Sequence, residues 1–384
     1  MTDAFPPNLL TRSAAQHLHE LPGHSKDAGV DGWLLFSAAS MAYLAGYETP
    51  IESGPAAYAP HPAALLCMNG EAPELFLADA ERLPDPPTSL LVTPFASYTI
   101  DRPLPGLSGL IGLLLARLRR HAGAKIGIEP DETPAAVLTA LMAGLPGLQM
   151  VDASGTLRHL RMIKTFDERA LLRAAVHLTD TGQQTAKRMA RPGMTEIELY
   201  GEIHKSMEMM AGTRVPILPD VLSGTRTAEV GGPPSDRAMA EDELVLIDLV
   251  PRLHGYWGDS CNTFAVGEPS SVQCVIMGGI ERVLAGAIAM VRPGLLASEL
   301  HGWMHAEAAK IGPAFGHHAG HGLGVAWHEE PRITSYNDTP LEAGMVIALE
   351  PGVYFPGEFG VRKEAIMEVT STGADVYTGW FDRQ

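Results

Sequence analysis

Cysteine is scarce in this chain of 384 residues. Its three cysteines, Cys67, Cys261 and Cys274, are odd in number, and none forms a Cys-x-x-Cys pair. This excludes a disulfide framework or a zinc knuckle as the expected architecture, and a reducing compartment suits these cysteines best. Residues 1–7 also lack the basic and apolar regions of a signal peptide. We therefore expect a cytoplasmic protein.

Positive charge is also in short supply. Lys and Arg total 28 against 45 Asp and Glu, the formal net charge is -17, and no run of Lys and Arg forms a local basic stripe. An acidic surface repels phosphate backbones, which excludes nucleic acid as an expected partner. The longest apolar stretch, around 107–118, is interrupted by Ser and Gly and is too short to span a bilayer. No membrane partner is expected either.

The chain has enough apolar content for two domains. Hydrophobic residues make up 46% of it, which is sufficient for two sizeable cores. Up to about residue 143, short apolar runs alternate with helical stretches and Gly/Pro-rich breaks. This pattern predicts an α/β N-terminal domain over 1–155, closed by a stretch rich in Pro, Gly, Asp and Ser at 145–156. A second domain is predicted over 156–384, beginning with a long helix at 167–189.

An internal repeat organises the second domain. Arg191-Pro192-Gly193-Met194 recurs 101 positions later, beginning at Arg292, and in both copies Glu, Leu, Gly and His follow at the same spacing. Each copy has the pattern of a helix ending at a Pro-Gly turn, a second helix, and a later β-hairpin. We therefore predict an α+β domain built from a duplicated α-α-β-β unit, whose halves 160–265 and 266–384 are related by approximate two-fold symmetry.

The first copy contains two β-prone runs with one buried acid in each. Asp248 lies in the run 244–250, and Asp259 lies in the run 256–266. Pairing about a four-residue loop at 252–255 sets Asp248 directly opposite Asp259, with Cβ atoms roughly 4.5–5.5 Å apart. Two carboxylates at that separation can share metal ions.

The second copy repeats this arrangement. The runs 345–354 and 360–370 pair about the three-residue loop 356–358, which sets Glu350 opposite Glu364. Any one of the four acids could be a solvated strand residue. Four carboxylates that converge from apolar runs repel one another unless a cation lies among them. The set therefore favours a divalent metal site, although a bulge would shift either register by one residue.

A segment rich in His and Gly lies between the two hairpins. His321 has glycine on both sides. Imidazole is a suitable ligand beside carboxylates, and flanking glycines let the backbone approach a metal closely. A lone histidine is more often a core or surface residue, but several within residues 317–328 favour a function. A dinucleotide loop is a weak alternative, because the strand and the later acid that it requires are missing.

These motifs resemble the pita-bread metallopeptidases: methionine aminopeptidase, aminopeptidase P, prolidase and their relative creatinase. The matching motifs are Gly-His-Gly-Leu-Gly around His321, Glu-Pro-Gly-Val-Tyr from Glu350, and Gly-Val-Arg-Lys-Glu ending at Glu364. The resemblance covers essentially the whole chain, since residues 1 to about 155 are similar to the creatinase/prolidase N-terminal domain. Relatives with this N-terminal domain are usually homodimers, so a homodimer is expected.

The resemblance also implies a reaction and the residues that perform it. It implies a dinuclear site, with manganese first and cobalt, zinc or iron as alternatives, held by Asp248, Asp259, His321, Glu350 and Glu364. His317 and His328 are then expected to handle substrate and protons, with Tyr354 and Arg362 supporting the site. Either Glu350 or Glu364 would take a proton from the attacking water as an amide-type C–N bond is cleaved.

One position departs from the proline-specific members. Gly231, within 223–234, stands where their histidine aligns. Three functions therefore stay open: an Xaa-Pro dipeptidase or aminopeptidase, a hydrolase of a small non-peptide amide or cyclic amidine that resembles ectoine hydrolase, and a metal-free creatinase-like enzyme or binding module. The complete ligand set argues against the third, and Gly231 shifts weight toward the second. Arg226 or Glu229 could contact such a substrate, or be ordinary loop charges.

Overall fold

The chain divides after Leu160 in the computed structural model, into units Met1–Leu160 and Arg161–Gln384. The structure describes residues 8–49, 62–79, 82–97 and 107–380. The predicted boundary after residue 155 falls inside the helix Ser154–Leu160. The stretch before it, which has the composition of a linker, contains the strand Gln149–Asp152, and this strand pairs with Lys125–Ile128.

The first unit is a mixed sheet packed against helices, as its α/β pattern predicts. Its helices are α1 (Leu9–Ala28), α2 (Ala38–Ser40), α3 (Ser108–Leu118), α4 (Ala135–Gly144) and α5 (Ser154–Leu160). Its strands are β1 (Gly32–Leu35), β2 (Ala64–Met68), β3 (Glu74–Ala78), β4 (Leu91–Phe95), β5 (Lys125–Ile128) and β6 (Gln149–Asp152). The strand order is β4-β3-β2-β1-β5-β6. The apolar faces of α3 and α4 share one core with β1, β2 and β3.

The second unit holds four long helices and three sheets within its described residues. The helices are α6 (Phe166–Met189), α7 (Glu196–Ala211), α8 (Ser271–Met290) and α9 (Ala297–Ala308). The first copy contributes β7 (Ile217–Ser223), β8 (Leu244–Leu253), β9 (Tyr256–Trp257) and β10 (Cys261–Ala265). The second contributes β11 (Gly320–Gly322), β12 (Glu329–Ile333), β13 (Val346–Leu349), β14 (Gly352–Phe355), β15 (Phe359–Arg362), β16 (Ala365–Val369) and β17 (Ala374–Val376). The sheet orders are β10-β8-β7, with β9 on β8, then β12-β11-β13-β16-β17, and β14-β15.

The two copies of the repeat share the same turn between their helices, and the predicted α+β fold is confirmed. Each has two helices joined at its Pro-Gly turn, where Gly193 and Gly294 have φ angles of 83° and 85°. The amide of Gly193 donates to the carbonyl of Met239, and that of Gly294 donates to the carbonyl of Leu341, both at 2.8 Å. The left-handed conformation explains why both copies have glycine at this position.

Helix α8 is strongly apolar, and a third of its most hydrophobic window is buried. By length and composition it could cross a membrane, with a mean hydropathy of 1.5. It is longer than the stretch at 107–118, so the expectation that 107–118 is the longest apolar stretch is wrong. The core helix of a soluble protein passes the same test. Its buried side chains pack into the core of the second unit: Ile276, Ile280, Val283, Leu284 and Ala287.

The first hairpin turns through two residues, so the predicted four-residue loop is wrong. Leu253 pairs with Tyr256, and His254 and Gly255 form the turn with φ angles of 50° and 79°. Two successive positive φ angles are typical of a type I′ turn, whose twist matches that of the flanking strands. Histidine at the first turn position gives no such signal in the sequence, since Asn and Asp are the residues usually found there.

The tighter turn moves the register by two residues. Asp248 lies opposite Cys261, and not opposite Asp259 as predicted. Side chains alternate faces along a strand, so a shift of two returns Asp259 to the face that it would have had. The predicted pair is therefore wrong in its register but still places both acids on one side of the sheet.

The turn itself can be tested by replacing Gly255 with alanine. We expect the free energy of unfolding to fall by roughly 1–2 kcal/mol, because a Cβ atom is strained at positive φ. Urea denaturation measures this change. Gly201, which is exposed on α7 with open space around its Cα, is the control, and alanine there should be neutral or stabilising. Equal behaviour of the two variants would contradict the turn assignment.

The second hairpin has the predicted register. Phe355 pairs with Phe359 around the loop 356–358. The same register continues in the adjoining sheet, where Leu349 pairs with Ala365. Glu350 and Glu364 occupy the short break between these two paired segments, at positions that face each other across the hairpin.

Candidate active site

The five predicted metal ligands line one cavity of about 460 Å³ in the second unit. They come from five places in its sheets: Asp248 in β8, Asp259 just before β10, His321 in β11, Glu350 just after β13 and Glu364 just before β16. Three of them stand where the backbone leaves a strand, so their side chains are less constrained by the sheet than those of residues within it. The sheets thus converge on one acidic centre.

The donor atoms fall into two groups that share one residue. Asp248, Asp259 and Glu364 have ligand atoms within 4.8 Å of one another, and so do Asp259, His321 and His328. Glu350 lies beside the second group, with its Oε1 atom 3.9 Å from Nε2 of His321. Asp259 therefore stands between two places where a cation would be surrounded by protein donors.

His321 is held in the tautomer that a metal requires. Its Nδ1 atom donates to the carbonyl of Gly322 at 2.9 Å, which leaves Nε2 with a free lone pair. The Nε2 atom lies 3.5 Å from Oδ2 of Asp259. Two acceptors facing each other are unfavourable without a cation between them, and a metal-binding imidazole is commonly oriented in this way by a carbonyl.

Two buried carboxylate oxygens lack partners among the described residues. They are Oδ1 of Asp248 and Oε1 of Glu364. A buried acceptor without a hydrogen bond is costly, by about 1–3 kcal/mol or more for a charged group. Both residues belong to the donor group that contains Asp259. The residues therefore fit a divalent metal, which would satisfy both oxygens at once.

Three of the predicted ligands, Asp259, Glu350 and Glu364, have raised pKa values. Burial, followed by the charges of neighbouring acids, raises the pKa values of Asp259 and Glu364 well above those of ordinary carboxyl groups. Burial also raises the pKa of Glu350 to about 8, against the opposing effect of Arg362. Such shifts are expected where carboxylates share a dry site.

Arg362, Tyr354 and His317 form a hydrogen-bonded chain beside these acids. Arg362 donates to Oδ2 of Asp248 at 2.6 Å and to the hydroxyl of Tyr354 at 3.2 Å. Nδ1 of His317 donates to the carbonyl of His318 at 2.7 Å, so its Nε2 atom accepts from the Tyr354 hydroxyl at 2.9 Å. Both nitrogens of His317 are thus engaged. The chain fixes Asp248 from outside the donor group.

His328 also lines the cavity, but its contacts differ. Its ring stacks on Trp327, with centroids 5.0 Å apart, and lies 4.2 Å from that of His321. Neither ring nitrogen makes a hydrogen bond among the described residues. Burial, with the nearby charge of Arg332, lowers its pKa to about 4, so the imidazole is neutral at pH 7.

Two titratable residues that line the cavity were not predicted. His318 places Nε2 3.4 Å from Oε1 of Glu350; its position next to His317 was the only signal in the sequence. Asp220 in β7 pairs directly with Asp248 across the sheet, and burial and the charge of Asp248 raise its pKa to about 6. No motif surrounds Asp220, so no pattern in the sequence singles it out.

The loop charges considered as substrate contacts have other roles. Arg226 pairs with the buried Glu196 and donates to the carbonyl of Pro233 at 3.1 Å. Glu229 is exposed and lies 3.6 Å from Nε of Arg226. Neither is among the described residues that line the cavity. Gly231 does line it, and its neighbour is Asp220.

The chain belongs to metallopeptidase family M24, whose model matches residues 170–371. Residues 18–163 match the creatinase/prolidase N-terminal domain. The family resemblance inferred from the motifs is therefore confirmed, and the protein is a metal-dependent hydrolase.

Relatives and solved structures agree with this assignment. The probable dipeptidase PepE of Mycobacterium tuberculosis is 31% identical over 291 residues, covering 68% of this chain and 77% of that protein. An Xaa-Pro dipeptidase from Bacillus anthracis is similar in structure, with a TM-score of 0.81, 27% identity, and coverage of 95% of this chain and 97% of that one. The dipeptidase PepE from Mycobacterium ulcerans has a TM-score of 0.78, 28% identity, and 96% coverage of both chains.

Proposed function

We propose that this protein is a dinuclear-metal hydrolase that cleaves the amide bond of a small peptide, in the manner of a dipeptidase or aminopeptidase. The observation that carries the proposal is the pair of donor groups sharing Asp259, with unpartnered buried oxygens on Asp248 and Glu364. The proposed ligands are Asp248, Asp259, His321, Glu350 and Glu364. Carboxylate-rich sites with one imidazole suit manganese, with iron, cobalt and zinc as alternatives.

The chain's own residues divide the chemistry among them. Two divalent ions, when bound, would lower the pKa of a water molecule and polarise the substrate carbonyl. Glu350 or Glu364 then accepts the proton of the attacking water and delivers it to the leaving nitrogen as the C–N bond breaks. His328, which lines the cavity, donates a hydrogen bond to the oxygen on which negative charge develops. The Arg362, Tyr354 and His317 chain holds Asp248 in position.

A hydrolase of a small non-peptide amide or cyclic amidine is the second candidate. Gly231 favours it, because this residue stands where proline-specific relatives have a substrate-contacting histidine. The metal chemistry is common to both candidates. We further propose that the protein acts in the cytoplasm and as a homodimer.

A substrate panel separates the two candidates. Metal-reconstituted protein would be offered Xaa-Pro dipeptides, other dipeptides and tripeptides, N-acylated amino acids and cyclic amidines. Cleavage of peptides with kcat/KM near or above about 10⁴ M⁻¹s⁻¹ would support the first candidate. Turnover confined to non-peptide amides would replace it with the second, and no turnover of any compound would contradict both.

Metal should also stabilise the fold. Adding Mn²⁺ to metal-free protein at 100 times its Kd is expected to increase the free energy of unfolding by about 2.7 kcal/mol, since it relieves the repulsion among the buried acids. For a domain of this size, Tm should rise by roughly 5–10 °C. Calorimetry with and without a chelator measures the shift. Asp248→Ala is the control, because a smaller shift is expected there, and an unchanged Tm in the parent protein would count against the site.

A further inference from the structure

Two acids stand directly opposite each other at the edge of the active-site sheet. Asp220 in β7 pairs with Asp248 in β8, and both line the cavity. Like charges directly opposite on an antiparallel pair destabilise a sheet. Asp248 has a role as a proposed metal ligand. Asp220 belongs to neither donor group, so the metal site does not account for it.

Asp220 is held in place by one oxygen only. Its Oδ1 atom accepts from the amide of Gly232 at 3.0 Å. Its Oδ2 atom lies 3.9 Å from the Arg362 guanidinium, which is beyond hydrogen-bonding distance.

Arg362 is engaged mainly by other acceptors. Its Nε atom donates to Sγ of Cys261 at 3.2 Å, its Nη1 atom to Tyr354 and to the carbonyl of Val230, and its Nη2 atom to Asp248. Four of its five N–H groups thus have closer acceptors than Asp220. The Oδ2 atom of Asp220 has no hydrogen-bond partner among the described residues, and Asp220 lines the cavity.

Gly231 makes room for that oxygen. A Cβ atom built on Gly231 would lie 2.5 Å from Oδ2 of Asp220. Its backbone is not in the left-handed region, so conformation does not require glycine here. A larger residue here would displace the Asp220 carboxylate from its present position. Glycine at 231 and the position of the Asp220 carboxylate therefore depend on each other.

Among the described side chains that line the cavity, the nearest cation to Asp220 is Arg362, 3.9 Å from its Oδ2 atom. Among the described lining residues, Arg362 is the sole arginine or lysine, and the acids are Asp220, Asp248, Asp259, Glu350 and Glu364. Val230, Pro233 and Val250 add apolar walls near Asp220 in the chain or across the sheet. A substrate cation beside Asp220 would gain a carboxylate partner in a partly dry site.

We propose that Asp220, in the space left by Gly231, binds a positively charged nitrogen group of the substrate: a protonated amine, a guanidinium or an amidinium. This inference rests on the proposed function of the same cavity, and it names the substrate class as small cationic peptides or amides. Asp220 is a specificity residue that contacts the substrate away from the scissile bond.

Two matched amides test the inference without turnover. Lysinamide and norleucinamide differ in the terminal ammonium of the side chain, and calorimetry measures their affinity for metal-loaded protein. Lysinamide should bind roughly tenfold more tightly or better, as a charge-assisted hydrogen bond implies. Asp220→Asn, which keeps the shape, should reduce that preference to about twofold or less. Guanidinium and amidinium analogues of lysinamide would show which cation fits best.

Two further variants keep the result interpretable. Glu229→Gln removes a nearby exposed acid outside the cavity and should leave the preference intact. Gly231→Ala should weaken the preference by crowding Oδ2, but should change little in the Asp220→Asn background. Equal binding of the two amides by the parent protein, or a preference that survives Asp220→Asn, would overturn the proposal.

Failure of the proposed function would look different. Metal-loaded protein that prefers lysinamide yet cleaves no peptide or amide would retain this inference and lose the hydrolase assignment of the substrate panel. Protein that cleaves neutral and lysine-containing peptides equally, and binds the two amides equally, would retain the hydrolase and lose the cation site. The two measurements therefore separate the proposals.

Discussion

Replacing Glu364 by glutamine is expected to lower kcat/KM by at least about 10³-fold, equivalent to about 4 kcal/mol of transition-state stabilisation. Glu364 is 1% exposed, and its Oε1 atom has no partner among the described residues. Glutamine keeps the shape but replaces one oxygen with an NH₂ group, which cannot bind a cation. Metal analysis after dialysis should find at least one ion fewer per chain than in the parent protein.

A matched control lies on the same hairpin. Glu358 is exposed in the loop between β14 and β15 and is outside the described cavity lining. Glu358→Gln removes the same charge, so it should retain full metal content and activity. Asp248→Ala is expected to behave like Glu364→Gln. Full metal occupancy in both active-site variants would show that these carboxylates are not ligands.

The hairpins explain why the site could be predicted although one register could not. The His254-Gly255 turn differs from the predicted loop by two residues, and a shift of two preserves the face on which Asp259 lies. A shift of one residue would have turned Asp259 away from Asp248. Because side chains alternate along a strand, the wrong turn length did not change the predicted set of metal ligands.

The repeat explains how much of the second unit could be predicted. A fixed spacing in the sequence gives the order of the helices and strands, and the left-handed glycines at 193 and 294 occupy equivalent turns. The first unit has no such internal copy. Its edge strand Gln149–Asp152 carries polar residues that also occur in linkers, so composition alone does not separate the two.

Contacts between side chains on different strands and loops could not be predicted from the sequence. No sequence pattern links Asp220 to Gly231. The Asp220 side chain is nevertheless the nearest group to a Cβ atom built on Gly231, because β7 lies beside the segment that contains Gly231. The tautomer of His321 likewise depends on the carbonyl of Gly322. Motifs identify which residue types are present, whereas selectivity depends on which side chains meet across strands.

Replacing His328 by alanine is expected to lower kcat by roughly 10²–10³-fold with little change in metal content. His328 stacks on Trp327 and lines the cavity, and neither of its ring nitrogens has a hydrogen-bond partner among the described residues, so it is well placed to donate to a developing oxyanion. His317, by contrast, is engaged by Tyr354 and the carbonyl of His318. His328 should therefore carry most of the contact with the reacting group.

Metal content decides between this role and ligation, because His328 also lies within 4.8 Å of the donor atoms of Asp259 and His321. His177→Ala on the exposed face of α6 is the control and should retain both metal and kcat. Loss of one ion from His328→Ala would make His328 a ligand. If His328→Ala retained both the metal and the parent kcat, His328 would have no role in the reaction. A fall in kcat with the metal retained and KM little changed is the expected result, since an oxyanion donor acts mainly in the transition state.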